Sequence, residues 1–283
     1  MTIAERVAAA RRDLEAAGIP AQEAGLDAEL LARSALGWDR AALVTRRREP
    51  ATPAFDSAYA AFIARRAARE PVAYILGERE FWGLPFEVTR DVLIPRPETE
   101  LIVEEALVAF GGSAPPAAVI DVCTGSGCLA VSLAREFGGA DVIATDISPA
   151  ALEVARRNAQ RHGVAARIGF RLADLLDGVT IRADLIVANP PYVAQRDAAQ
   201  LAPEVRDHEP HVALFAGADG LDAYRRLLPA GRERLTRGGR LVLEIGHGQA
   251  DAIVDLAEAA RLRLEHTRQD LQGITRVVVF GVD

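Results

Sequence analysis

The tetrapeptide Asn189-Pro190-Pro191-Tyr192 directly follows the apolar run 183–188. Consecutive prolines remove backbone N–H groups and fix φ, so a strand must end here and continue as a rigid loop. The Asn189 side-chain carbonyl and the Pro190 main-chain carbonyl are acceptors, and Tyr192 adds a flat aromatic face. This combination suits a planar amine or amide whose N–H groups must be held. The same four residues are equally typical of a simple strand terminator, so other features of the chain must decide.

A glycine-rich segment, residues 121–127, follows an earlier strand-like run and precedes a helix that we expect to start near Cys128. Gly125 and Gly127 allow close backbone approach, and the N-terminus of a helix offers unpaired N–H groups. Asp146 ends the next strand, where a carboxylate can accept both ribose hydroxyls of a nucleotide. Asp174 supplies a third acid after the following strand. The pattern predicts a nucleotide-like cofactor site.

Two other interpretations of this loop stay open. Gly125-x-Gly127-x-x-Ala130 with a following acid is compatible with a dinucleotide fingerprint. Asp121 weighs against it, because an acid at the mouth of the loop would repel pyrophosphate, whereas it can pair with the amino group of a methionine moiety. A tight strand-to-helix turn without a ligand is the second alternative, although such turns rarely come with three spaced acids.

Composition excludes several chemistries. The chain has 283 residues, and all 33 of its basic residues are arginine. Without lysine there is no phosphate-loop lysine, kinase lysine or Schiff base. The net charge of −7 does not favour duplex nucleic-acid binding. The spacing of Cys123 and Cys128 fits neither a metal site nor a redox pair, so we expect reduced thiols. The sequence pattern of a signal peptide or a membrane span does not occur, so we expect a cytoplasmic protein.

The apolar periodicity divides the chain into three parts. Residues 1–72 have helical spacing and predict a small helical domain. Residues 73–97 predict a linker with a β-hairpin, formed by extended segments at 81–88 and 92–94. Residues 98–283 predict a catalytic domain in which strands alternate with helices, typical of a parallel sheet. The last two strands, near 262–266 and 275–280, are joined by a short turn and should pair antiparallel.

Taken together, these features resemble the class I S-adenosylmethionine-dependent methyltransferases that act on planar nitrogen. Within them, the chain is most similar to the protein-(glutamine-N5) methyltransferases specific for release factors, the HemK/PrmC family. The motifs that carry this similarity span nearly the whole chain: 71–77, 81–83, 94–100, Glu204-Val205, Glu209-Pro210, Ala213-Leu214, Gly217, 219–221, 243–246, Gln249, Asp270-Leu271, Gly273 and Arg276. The resemblance implies a Rossmann-like α/β fold, with a mostly parallel sheet that ends in an antiparallel strand pair, preceded by a helical domain and a hairpin linker.

The resemblance also implies residue roles and partners. The cofactor would be S-adenosyl-L-methionine, with Asp146 on the ribose and Asn189 also near the cofactor. The glutamine in the Gly-Gly-Gln loop of a peptide chain release factor would enter at the Asn189 loop, with the helical domain helping to dock the release factor. We expect a monomer, no membrane, no specific nucleic-acid partner and no metal. The expected cofactor residues are Asp121, Cys123, Thr124, Gly125, Ser126, Gly127, Asp146, Asp174, Leu175 and Asn189, and the expected substrate residues are Asn189, Pro190, Pro191 and Tyr192. Cys123 stands where the family usually has glycine.

For the catalytic residues Asn189, Pro190 and Tyr192, the predicted chemistry is positioning. Asn189 and the Pro190 carbonyl would accept the two amide N–H bonds and stabilise positive charge on the nitrogen, while Tyr192 would pack on the amide plane. The alternatives are a ribosomal-protein glutamine methyltransferase, an adenine methyltransferase and a non-catalytic nucleotide-binding module. His208-Glu209-Pro210-His211 suggests a metal site, but Pro210 interrupts any helix that would align the imidazoles, so a solvated or packing role is predicted.

Overall fold

The computed structural model describes residues 1–112 and 114–282. The chain forms two compact units, Met1–Glu78 with Ala202–His208, and Arg79–Leu201 with Glu209–Asp283. The helices are α1 Ile3–Ala16, α2 Ala21–Leu36, α3 Arg40–Arg46, α4 Pro53–Ala67, α5 Val72–Leu76, α6 Glu100–Phe110, α7 Cys128–Glu136, α8 Pro149–Arg161, α9 Pro203–His208, α10 Asp222–Arg234 and α11 Ala250–Ala259. The strands are β1 Glu78–Phe81, β2 Leu84–Glu87, β3 Ala118–Val122, β4 Asp141–Asp146, β5 Ile168–Leu172, β6 Ala183–Ala188, β7 Leu235–Glu244, β8 Arg263–Gln269 and β9 Thr275–Gly281. None of the helices in the described ranges is both long and apolar enough to cross a membrane.

The helical unit is built from helices with clear start signals. Thr2 caps α1 in a reciprocal pair with Glu5, Asp39 caps α3, and Thr52 caps α4 with proline at the first helical position. Their apolar faces bury one core that includes Leu14, Leu31, Phe55 and Tyr59. Each cap satisfies backbone N–H groups that a helix start leaves unpaired.

Residues 202–208, which the sequence-based division assigns to the catalytic domain, pack with the helical unit. They include α9, whose Glu204 lies 2.8 Å from the Arg66 guanidinium and 2.8 Å from that of Arg69. The Arg66 side chain is buried and also pairs with Asp27 at 2.7 Å. A buried guanidinium requires such partners, because an unpaired charge there would be strongly destabilising.

A seven-stranded sheet forms the second unit, in the order β5-β4-β3-β6-β7-β9-β8. The pairs β3–β4, β3–β6, β4–β5 and β6–β7 are parallel, and β9 runs antiparallel to both β7 and β8. The predicted α/β class and the antiparallel C-terminal pair are confirmed. Alternate strand residues enter two separate cores: Val119, Leu185 and Val242 in one, Ile120 and Ile186 in the other. The sheet is therefore covered on both faces.

The order of the strands locates the site. Strand β3 pairs with β4 on one side and with β6 on the other, so the direction of strand addition reverses between β3 and β6. In open α/β sheets, ligands bind outside the carboxyl ends of the strands at such a switch point. The glycine loop after β3 and the Asn189 loop after β6 both lie at this place.

The hairpin differs from the prediction. Strands β1 and β2 flank Trp82 and Gly83, whose φ values of 53° and 67° are those of a tight hairpin turn. Residues 92–94, expected to be extended strand, pair with no strand in the described ranges. The Ile94 N–H instead donates to the buried Glu209 carboxylate at 3.2 Å. That carboxylate takes the place of a neighbouring strand as the hydrogen-bond acceptor.

Candidate active site

A cavity of about 320 Å³ opens at the carboxyl ends of β3, β4 and β6. This volume lies in the range of small-molecule sites. The cavity brings together nine of the residues predicted from sequence: Cys123, Thr124, Gly125, Ser126, Asp146, Asp174, Leu175, Asn189 and Pro191. Within the described ranges, Asp121, Gly127, Pro190 and Tyr192 are not part of the lining.

The loop between β3 and α7 turns at two glycines with left-handed backbone. Gly125 and Gly127 have φ values of 53° and 80°, and a Cβ added to Gly127 would lie 3.0 Å from the Ala155 Cβ of α8. A Cβ added to Gly125 would meet no protein atom within 4 Å. Gly127 therefore serves conformation and packing, while Gly125 leaves the backbone bare for a ligand.

Cys123 shares this left-handed conformation, with φ at 60°. The sequence raised the question of how a non-glycine residue fits here, and the structure shows that it adopts the strained region. Left-handed backbone costs an L-residue about 1–2 kcal/mol. Burial raises the pKa of the Cys123 thiol, with the carboxylates of Asp146 and Asp121 acting in the same direction, so the thiol stays protonated.

Asp121 is completely buried beneath the loop. Its Oδ2 accepts from the Thr124 hydroxyl at 2.6 Å and from the Ala130 N–H at 3.0 Å, while its Oδ1 is buried without a hydrogen-bond partner among the described residues. Burial raises the pKa of Asp121 to about 7, against the lowering effect of those two hydrogen bonds. The carboxylate thus fixes the loop and keeps one oxygen for a donor.

Asp146 ends β4 and lies at the cavity with both oxygens oriented by backbone. Its Oδ2 accepts from the Gly125 N–H and its Oδ1 from the Ser148 N–H, both at 2.9 Å. Burial raises the pKa of Asp146 despite these donors. Each carboxylate oxygen can accept a second hydrogen bond, so the pair is suited to two adjacent hydroxyl groups.

The cavity lining also includes Asp174, Leu175 and Arg226. Leu175 has left-handed backbone, with φ at 55°, and its carbonyl accepts from the Thr145 hydroxyl at 2.9 Å. Arg226 of α10 donates to Asp174 Oδ2 at 2.8 Å. Nothing in the sequence pattern indicated Arg226, because α10 comes close to this loop only in the folded chain.

The segment after β6 is held by backbone pairing. The Val193 N–H donates to the Leu214 carbonyl at 2.8 Å, and the Ala216 N–H donates to the Val193 carbonyl at 3.0 Å. The Gln249 Nε2 donates to the Tyr192 carbonyl at 3.0 Å. These bonds hold the loop in a single path, as the two prolines already favour.

The Asn189 side chain belongs to a buried polar network that the sequence did not predict. Its Nδ2 donates to the Thr99 hydroxyl at 3.0 Å, and its Oδ1 is buried without a partner among the described residues. Thr99 donates to Glu244 Oε2 at 2.5 Å, and the Tyr192 hydroxyl donates to Glu244 Oε1 at 3.2 Å. Two sequence signals point to Glu244: it is a carboxylate within the apolar run 241–245, and it lies in the motif 243–246 that carries the family resemblance.

The histidine-containing segment 208–211 has structural contacts. Glu209 is buried and accepts from the Arg96 guanidinium at 2.5 Å as well as from the Ile94 N–H. The His208 Nε2 lies 3.3 Å from the Ala68 carbonyl. No group of three or more possible metal ligands occurs in the part of the chain that the structure describes.

Comparison with known families and proteins agrees with this architecture. Residues 5–77 match the family described as PrmC N-terminal domain, and residues 101–205 match the methyltransferase small domain. A release factor glutamine methyltransferase of Cereibacter sphaeroides is 48% identical over 98% of this chain and 98% of its own length. One from Geobacter sulfurreducens is 46% identical over 91% of this chain and 89% of its own length.

Solved structures support the fold. A methyltransferase from Pyrococcus furiosus matches with a TM-score of 0.54 at 19% identity, covering 80% of this chain and 98% of its own. The Thermus thermophilus 16S rRNA N2 G1207 methyltransferase, solved with AdoMet and guanosine, matches with a TM-score of 0.54 at 18% identity, covering 73% and 50%. The curated relatives match this chain over nearly its full length, and the matched domains and the methyltransferase fold agree with them. The chain therefore belongs to the release factor glutamine methyltransferase family.

Proposed function

We propose that this chain transfers a methyl group from S-adenosylmethionine to the side-chain amide nitrogen of the glutamine in the Gly-Gly-Gln loop of peptide chain release factors. The observation that carries the proposal is the Asn189 Oδ1, a buried acceptor without a protein partner, at a cavity lined by Asn189 and the cofactor loop. An amide N–H of the substrate would satisfy it. The identity of the macromolecule rests on the curated relatives, which are named for release factors.

The residues around the cavity fit S-adenosylmethionine. Asp146 presents two backbone-oriented oxygens for the ribose hydroxyls. Asp121 lies below the cavity lining, so it would act on the cofactor through the loop that it orders, by accepting from Thr124 and Ala130. The bare backbone at Gly125 permits close approach. Asp174 and Leu175 would flank the adenine. When bound, the cofactor supplies an electrophilic methyl group.

Catalysis in this proposal depends on positioning. The lone pair of an amide nitrogen is delocalised into the carbonyl, so the nitrogen is a poor nucleophile. The Asn189 Oδ1 and the Pro190 carbonyl accept its two N–H bonds, which holds the nitrogen in place and stabilises the positive charge that develops on it. The rigid backbone of the two prolines keeps these acceptors in place before the substrate arrives.

The direct test measures transfer of labelled methyl from S-adenosylmethionine to a purified release factor. We expect label on the wild-type release factor and none on a variant with alanine in place of the Gly-Gly-Gln glutamine. Parallel reactions with a ribosomal protein and with DNA examine the other two substrates. Label on either of these alone would contradict the proposal.

Asn189→Ala tests the amide clamp. We expect turnover to fall by about 10²–10³-fold, the usual cost of removing one preorganised polar group from a transition state. Calorimetry with S-adenosylmethionine establishes whether the variant still binds cofactor. Gln200→Ala, which removes an exposed amide that contacts Asp197, is the matched control and should retain activity. Undiminished transfer by a cofactor-binding Asn189→Ala protein would contradict the mechanism.

A further inference from the structure

Thr99 and Glu244 come from distant parts of the sheet-containing unit, and their side chains form a hydrogen-bonded chain with Asn189. Thr99 precedes α6, Glu244 ends β7, and both are only 2% exposed. The Thr99 hydroxyl lies between Asn189 Nδ2 at 3.0 Å and Glu244 Oε2 at 2.5 Å. The proposed mechanism, which uses acceptors of the Asn189 loop, gives neither Thr99 nor Glu244 a role.

The direction of the hydrogen bonds in this chain is determined by chemistry. An ionised carboxylate can only accept, so the single Thr99 hydroxyl proton must point to Glu244. Only a lone pair of the hydroxyl then faces Asn189, and the Asn189 atom that meets it must be the donor, Nδ2. The Asn189 Oδ1 is consequently turned away from Thr99, in agreement with its lack of a protein partner.

This direction of hydrogen bonding requires an ionised Glu244, and the surrounding groups change the pKa of its carboxyl group. Burial raises the pKa of Glu244 to about 7, and the negative charge of Glu98 acts in the same direction. Hydrogen bonds from Thr99 and Tyr192 and the positive charge of Arg276 oppose that rise. The Tyr224 hydroxyl donates to the Glu244 main-chain carbonyl at 2.8 Å. Burial raises the pKa of the Cys128 thiol, and the charges of Asp121 and Glu244 act in the same direction.

We propose that Thr99 and Glu244 are positioning residues that set the polarity of the Asn189 amide, so that the site accepts a substrate amide and rejects the corresponding carboxylate. With Oδ1 facing the substrate, Asn189 pairs with an N–H donor. With the amide reversed, Nδ2 would face the substrate and favour an acceptor such as glutamate. This inference rests on the proposed function and names the structural basis of its selectivity for glutamine over glutamate.

Thr99→Val and Thr99→Ser form the decisive pair. Valine has nearly the same shape as threonine but lacks the hydroxyl, whereas serine keeps it. We expect Thr99→Val to lower kcat for release factor methylation by about 10–100-fold, and Thr99→Ser to restore kcat to within a few-fold of wild type. Thr45→Val, at an exposed position of α3 in the other unit, is the control for a generic threonine-to-valine change.

A binding measurement tests which atom of the Asn189 amide faces the substrate. Affinity is measured, with S-adenosylhomocysteine present, for a release factor carrying glutamine and for one carrying glutamate in the Gly-Gly-Gln loop. Wild type and Thr99→Ser should prefer glutamine by about tenfold or more, and Thr99→Val should lose most of that preference. A merely structural role for Thr99 would weaken both ligands alike.

Glu244→Gln provides a second variant of unchanged shape. Its amide can present either oxygen or nitrogen to Thr99, so the preference for glutamine should fall. In wild type the preference should rise between about pH 6 and about pH 8 as Glu244 ionises, whereas in Glu244→Gln it should not change with pH. Wild-type preference at every pH in Glu244→Gln would overturn the inference.

The two proposals fail in different ways. A wild-type protein that leaves the release factor unlabelled contradicts the proposed function. A wild-type protein that methylates it, together with a folded Thr99→Val protein of equal kcat and equal preference for glutamine, contradicts only the inference about polarity.

Discussion

At the residue scale, the proposed chemistry of the site uses buried polar atoms that have no hydrogen-bond partner among the described residues. Asp121 Oδ1 and Asn189 Oδ1 both belong to this group. Such atoms reduce stability, because a buried acceptor without a donor loses its hydration. Asn189 lines the cavity, so a substrate that supplies an N–H to its Oδ1 would recover the lost hydrogen bond.

Cys123 provides a prediction about backbone strain at this site. Because its φ is 60°, glycine should be more favourable than alanine there, and we expect Cys123→Gly to unfold with a free energy about 1 kcal/mol higher than Cys123→Ala. Urea unfolding of the two variants measures the difference. Comparing glycine with alanine removes the effect of losing the thiol side chain, which both variants share.

Cys128 is the matched control, since it is a buried cysteine at the start of α7. The backbone of Cys128 is right-handed at the first position of α7, so glycine relieves no strain there and Cys128→Gly should be less stable than Cys128→Ala. The same order of stability at both positions would show that the left-handed conformation of Cys123 is not the source of the difference.

At the element scale, the strand ends were the most predictable part of the site. Strand β3 and the start of α7 lie where the apolar run and the glycine loop placed them. The apolar run 240–245 predicts a strand that begins at Arg240, whereas β7 begins at Leu235. The Gly238-Gly239 segment interrupts the apolar pattern without ending the strand. Residues 92–94 have the composition of a strand, but Glu209 satisfies the Ile94 N–H. Local pattern predicts an element only where no distant side chain competes for its backbone.

Helix α9 is the element whose packing the sequence could not show. A prediction follows from its Glu204, which pairs with the buried Arg66. Glu204→Gln should lower the free energy of unfolding of the helical unit by about 1–3 kcal/mol, because Arg66 would lose one of two charged partners. Glu49→Gln, which breaks the exposed pair with Arg46, should have a much smaller effect on stability, because water and salt screen an exposed pair.

Tryptophan fluorescence can report the helical unit alone. Trp38 packs against the core of that unit, and Trp82 packs against the core of the sheet. In a Trp82→Phe background, urea unfolding followed by Trp38 emission measures the two glutamine variants. Equal effects of Glu204→Gln and Glu49→Gln would contradict the structural role of the buried pair.

At the scale of the whole molecule, the fold class followed from strand and helix alternation, whereas the polar network did not. Thr99 and Glu244 are 145 residues apart in the chain, and no local pattern relates them. Asn189, in contrast, was indicated by its position between a buried strand and two prolines. The loop residues proposed to contact the ligand could be predicted from sequence, whereas Arg226 and the proposed positioning residues Thr99 and Glu244 required the tertiary structure.

The distribution of arginine leads to the last prediction. The net charge of −7 does not favour general binding to acidic partners, but residues 46–48 place three arginines together in the helical unit. Arg46 is engaged within that unit, because its guanidinium pairs with Glu49 and lies 4.1 Å from the Trp38 ring centroid. Arg47 and Arg48 are exposed, so they are the members of the cluster suited to an acidic surface of a release factor.

We therefore expect the double variant Arg47→Glu/Arg48→Glu to weaken release factor binding by about tenfold at low salt, with a smaller effect at about 0.5 M salt because exposed charges are screened. Arg182→Glu/Arg237→Glu changes the net charge equally at exposed positions of the other unit and is the control. Surface plasmon resonance at several salt concentrations measures both variants. Methylation of a free Gly-Gly-Gln peptide should be equal in wild type and in the first variant, since the catalytic cavity is unchanged. Equal weakening by both variants would indicate an effect of net charge, and would exclude a docking role for Arg47 and Arg48.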